Sequence, residues 1–236
     1  HQDKLSIKGL KEDRRVVFVS GLCILIALFE DFNIATMLAS GGALREGVIH
    51  QLTNQPLTKN ICLAACQSIS QRFQINEQQA TQVAKVALIF ANELAIDESL
   101  LPLLEYAALL HELGVSVDYI DAPKHGYYLL THLPLAGFSK QQKLLLAALV
   151  GNYKGEIDVA LVENQGCCNS EQAQEMLLCL RLAVICVGRY QAPRCDGISL
   201  NRLGDVIAVQ VTQLVEQSSP LLMTQLAQEI EINPLM

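Results

Sequence analysis

The chain of 236 residues carries a formal net charge of −7, is 51% apolar and contains no tryptophan, a composition that accommodates one large domain or two smaller ones and excludes an intrinsically disordered chain. Its acidity argues against a generic nucleic-acid or anionic-membrane binder, since both need a positive field over a broad face. The longest apolar run, residues 16–29, is broken by Ser20 and Gly21 and falls short of the roughly 20 residues that cross a bilayer, so it reads as a core helix.

In chain order, the first fifty residues have an α/β rhythm. A Gly-punctuated helix is expected over about residues 20–32, a short strand over 35–39, and then Ser40-Gly41-Gly42 opens a helix through Leu52. One short strand cannot be a stable sheet alone, so its partners are expected upstream of His1. From Pro56 onward apolar residues recur at three- and four-residue intervals, and the pattern is helical. Asn76, with Gln79 three residues on, caps a helix running to about Leu94. Asp97 opens the next, which carries "LLHELG" and ends near Gly114. Pro123 favours a further helix start. Ser139 with Gln142 forms a capping-box pattern ahead of a helix ending near Tyr153. A polar, Gly-bounded connection over 155–166 leads, through one short helix, to a long apolar helix from Asn169 or Ser170 to about Tyr190. Two β-rich runs then flank Arg202 to Asp205 as a hairpin with a Gly turn. Ser219-Pro220 starts the last helix. The fold class is mainly α. Eight cysteines sit mostly inside apolar helical patterns without paired CxxC spacing; with no export signal at the start, they suit a reducing cytoplasm.

Two stretches can carry chemistry. His111 shares a helical face with Leu100, Leu104 and Ala107, so its imidazole is expected to point inward. Glu112 lies about 100° round the axis beside Ala108 and Glu105. A hydrolytic metal site would need more ligands converging from other helices, and His125 is the nearest candidate. Lys124 and His125 fall in the first turn of the Pro123 helix, where exposed amides and the helix dipole make a phosphate seat. The alternative is a buried, hydrogen-bonded His111 and a surface His125. Gly41 and Gly42, followed by Arg45, have the form of a phosphate-approach turn with bare amides and a nearby guanidinium, a pattern that is also ordinary in α/β folds.

In order and wording these pieces resemble the C-terminal half of the exopolyphosphatase / guanosine pentaphosphate phosphohydrolase (Ppx/GppA) family. "ASGGALREGVI" is similar to that family's Ser-Asp-Gly-Ala-Leu-Arg-Glu-Gly signature, "AALLHELGVSV" to its Leu-His-Glu run, and "LPLAGFSKQQKLLLAALV" to its Leu-Pro-Gly-Phe segment and following helix. The resemblance implies that residues 1–55 are the end of an actin-like (ASKHA) phosphatase lobe, 56–192 an HD-like helical domain and 193–236 a small α/β tail. It further implies release of terminal phosphate from inorganic polyphosphate or guanosine pentaphosphate with magnesium, by a water activated by a glutamate expected upstream of this sequence. The implied role of these residues is the wall of a polyanion channel and dimerisation, with Lys124, His125, Gly41, Gly42 and Arg45 as phosphate contacts. The chain departs from the pattern at Gly41, where the family has an aspartate, and at Tyr119, Pro123 and Gly151-Asn152-Tyr153, where it has histidines and an arginine. Those losses make His111 and Glu112 the remnant of a metal pair. They also keep open a non-enzymatic scaffolding module and, using His111, Glu112 and His125, a free-standing metal phosphohydrolase. Neither nucleic acid nor membrane is an expected partner, and a homodimer is.

Overall fold

A computed structural model describes residues 10, 12–37, 60–188, 197–204 and 206–233. The chain divides into two compact units, 1–39 and 40–236. In the first, α1 (Glu12–Asp31) starts eight residues before the expected residue 20, because nothing between Glu12 and Gly21 breaks a helix. Expected to be a core helix, it instead leaves Val16, Val17 and Ile24 more than half exposed within its unit. Residues 34–37 form no ladder, as a lone extended segment lacks a partner for its amides. The rest of the expected strand, the Ser40 turn with Gly41, Gly42 and Arg45, and the helix through Leu52 lie outside the described residues. None of the described helices is long and apolar enough to cross a membrane.

The second unit is helical, and its caps explain its boundaries. Asn60 accepts from Leu63 N (3.0 Å) to start α2 (Ile61–Arg72), and Asn76 accepts from Gln79 N (3.1 Å) to start α3 (Glu77–Glu93). Asp97 does not cap the next helix. Its carboxylate takes Ser99 N (2.8 Å) and shapes a turn, and α4 (Leu101–Leu110) begins with Pro102 in its first turn. That helix stops before His111, and a 3₁₀ turn (Leu113–Ser116) carries the chain toward α5 (Ala122–His132). Reciprocal capping boxes, Ser139 with Gln142 and Asn169 with Gln172, open α6 (Lys140–Gly151) and α8 (Ser170–Val187), with α7 (Val159–Glu163) capped by Asp158 between them. Leu145 to Val150 are buried without a break, so α6 is central and not amphipathic. It packs on α4, α5 and α8, while α3 packs on α4 and α8; Phe90, Leu104, Leu110, Leu113 and Met176 fill the space between.

The expected hairpin is present. β1 (Ile198–Leu203) pairs antiparallel with β2 (Val206–Val211), Leu200 opposite Val209, across a two-residue turn in which Gly204 takes φ +65°, a conformation disfavoured for residues with a Cβ. Glu93 of α3 accepts from Leu200 N (2.8 Å), and Arg202 pairs with Glu175 and Glu171 of α8. The chain continues through a short α9 (Gln213–Ser218) into α10 (Pro220–Ile232); Ser219 occupies the cap position of α10 without a side-chain cap bond.

Candidate functional site

His111 stands at the end of α4, 1% exposed, its Nδ1 2.7 Å from Ala108 O. Tyr153, just past α6, meets it edge to face with ring centroids 5.3 Å apart. The inward orientation read from the sequence is therefore observed, in a setting built for ring packing. Glu112, one residue on, faces a different space: it lines a cavity of about 330 Å³ together with Gln74, Asn76, Gln79 and Ser116. The two members of the expected remnant pair thus serve different surroundings, His111 closing α4 and Glu112 leading into the 3₁₀ turn. Among the described residues, no group of three or more His, Cys, Asp or Glu side chains is placed to hold a metal ion.

The first turn of α5 is positioned by a close backbone approach. A Cβ on Gly114 would lie 2.0 Å from Ala122 O and 2.6 Å from Gly126 N, and one on Gly126 would lie 2.7 Å from Val150 Cγ1. These two glycines let α5 rest directly on the 3₁₀ turn and on α6. Lys124 and His125 follow from that placement. Lys124 is exposed, and its Nζ donates to Asp121 Oδ1 at 2.8 Å. The lysine's hydrogen bond and charge hold the Asp121 carboxyl below its usual range, and the carboxylate in turn raises the lysine. His125 is half-buried, with its amide donating to Asp121 O. Asp118 accepts from Asp121 N at 2.8 Å. Two carboxylates thus already occupy the helix start where the sequence suggested a phosphate seat, stabilising the turn and offsetting the field of Lys124.

A second cation, which periodicity did not single out, stands on the same part of the fold. Lys154 Nζ donates to Tyr119 O (2.9 Å), 4.4 Å from the Tyr119 ring centroid and 5.6 Å from that of Tyr153. The structure therefore joins three positions at which the sequence departs from its family pattern or flanks such a departure. Tyr119, Tyr153 and Lys154 form an aromatic-cation cluster leading inward to His111. The available signal was the alignment of Tyr119 and Tyr153 with family histidines; the intervening lysine was hidden, because only the tertiary fold brings it across 35 positions. His132 is exposed, stacked on Tyr128 with centroids 4.2 Å apart and Nδ1 at 2.8 Å from Tyr128 O, which is a local helix contact.

Comparison with protein families yields two consecutive matches. The Ppx/GppA phosphatase family model matches residues 1–56, and that of Ppx/GppA phosphatase domain III matches residues 61–230. The second spans most of the chain, including every side chain of the cluster just described, and the chain belongs to the Ppx/GppA phosphatase family.

Proposed function

We propose that this chain serves a phosphohydrolase that releases terminal phosphate from inorganic polyphosphate or guanosine pentaphosphate with magnesium, and that residues 61–230 bind polyanion and pack against a second copy, without cleaving a bond. The observation that carries this reading is the pair of family matches, in family order, over 1–56 and 61–230. The geometry supports the division of labour. His111 is engaged in ring packing and Glu112 faces elsewhere, whereas Lys154 and Lys124 place ammonium groups beside Tyr119 and on α5. Phosphoryl transfer needs positioned cations around a highly charged substrate, a role lysines fill as point charges.

The test is phosphate release from long-chain polyphosphate and from guanosine pentaphosphate by the whole protein, with and without magnesium. Release from neither substrate would refute the activity. The competing reading, a scaffold with a degenerate HD-like fold, is favoured by the engagement of Lys124 with Asp121. Equal polyphosphate affinity in wild type and in Lys124→Ala/Lys154→Ala would establish it. Homodimer formation is expected in light scattering of the purified protein.

A further inference from the structure

Arg181 of α8 is 2% exposed and bonded through all three of its guanidinium nitrogens. Its Nε and Nη2 donate to the two carboxylate oxygens of Glu229 on α10, at 2.6 and 2.7 Å. Nη1 donates to Asn152 O at 2.6 Å, and Nη2 also donates to Gly155 O at 2.9 Å. The Asn152 side chain is held from both sides, its Nδ2 donating to Ala148 O (2.9 Å) and its Oδ1 accepting from Asp158 N (2.6 Å). Asn233 adds a bond to Glu229 Oε1 at 3.2 Å.

The residues between the two gripped carbonyls are Tyr153 and Lys154. One planar guanidinium therefore fixes both peptide planes bracketing the stretch that reaches His111 and Tyr119, and its opposite edge is set by the last helix. An ammonium would have to reach all these acceptors from a single nitrogen; the rigid fork reaches both carbonyls from separate nitrogens while pairing bidentately with the carboxylate.

We propose that Arg181 and Glu229 are positioning residues for Tyr153 and Lys154. Through this buried pair, α10 sets where the Lys154 cation stands against Tyr119, and so sets the strength with which that cluster meets a polyanion. The binding half of this statement rests on the function proposed above. The positional half does not.

Two readouts separate them. Native-state acylation of lysines, read residue by residue by mass spectrometry, reports the position of Lys154 without any ligand. In Glu229→Gln the rate at Lys154 is expected to rise about fivefold, the factor that loss of roughly one kcal/mol of restraint gives, relative to Lys85 and Lys143. A Lys154 rate moving in step with those two, whether unchanged or raised, overturns the positional claim. Should the variant not fold, wild type in rising sub-denaturing urea serves instead. Lys154 acylation is expected to accelerate at the urea concentration where the α10 amides open to hydrogen exchange; acceleration only at global unfolding overturns the claim. For binding, titration with long-chain inorganic polyphosphate is expected to show Glu229→Gln and Lys154→Ala weakened alike, with the double variant no weaker than either single one. Unchanged affinity in Lys154→Ala overturns the binding half, while the acylation result still decides the positional half; the functional reading beneath it falls when Lys124→Ala/Lys154→Ala also binds like wild type.

Discussion

Replacing Gly114 by alanine tests how α5 is seated. The new Cβ would lie 2.0 Å from Ala122 O, 2.6 Å from Gly126 N and 2.9 Å from Ala122 C. All three are backbone atoms, so no rotamer change relieves the overlap. Ordinary contact begins near 3.4 Å, so α5 must lift by about 1.4 Å, the difference from 2.0 Å. Overpacking against a well-packed core costs typically about 1–3 kcal/mol, and rigid backbone partners put this case at the upper end, about 3 kcal/mol. For a protein of this size that lowers Tm by about 6–12 °C. Gly126→Ala is the internal control, because its added Cβ meets a side chain, Val150 Cγ1 at 2.7 Å. In urea denaturation followed by far-ultraviolet circular dichroism, a double-mutant cycle should show Val150→Ala coupling favourably with Gly126→Ala and not with Gly114→Ala. A loss below about 0.5 kcal/mol for Gly114→Ala would refute the reasoning, since surface-like tolerance is incompatible with a backbone collision. So would rescue of that variant by Val150→Ala.

Arg202→Ala should cost about 1–3 kcal/mol, because it strands the buried Glu175 carboxylate; Glu171→Ala, which alters only the exposed partner, should cost under about 1 kcal/mol, and equal losses in chemical denaturation would remove the argument. Burial, chiefly, pushes the Cys66 thiol up to about 12 from an ordinary 9.0, with the neighbouring Cys62 adding to it. Between those values the unfolded chain loses this proton while the native state keeps it. The native state then binds more protons, so stability is intact below about pH 9 and falls as pH rises toward 12. Cys66→Ala should flatten that decline in alkaline denaturation midpoints, and an unchanged slope would count against it. Asn169→Ala removes the acceptor for Gln172 N and half of a capping box; the expected loss is about 1 kcal/mol in the same denaturation assay, and no measurable loss would mean that the first turn of α8 is held by packing alone.

What the sequence discloses about this fold is what short range determines. Asn76 and Ser139 cap helices where their three-residue partners said they would, Asn169 proves to be the cap of the two starts that Asn169 and Ser170 offered, and Gly204 turns the hairpin between two β-rich runs. Periodicity also put His111 inward correctly, because a face is a property of one helix. It could not separate a metal ligand from a ring-packing residue, since that depends on Tyr153, which lies just past α6, 42 positions later by their numbering. The misplaced start of α4 has a similar cause: Asp97 bonded two residues on instead of three, and a turn and a cap share the same residue types. The buried pair on α8 and α10 lay deeper still. Arg181 and Glu229 are 48 positions apart, and each looks in the sequence like one more charge on the polar side of an apolar helix. Only the folded chain shows both side chains under 5% exposed and fixing the loop that carries Lys154. A buried charged pair of this kind adds little net stability over a well-packed apolar pair of the same volume, so its presence calls for a reason beyond stability. The geometry supplies one: an apolar pair would leave the carbonyls of Asn152 and Gly155 without their donor, and the aromatic-cation cluster without a fixed base.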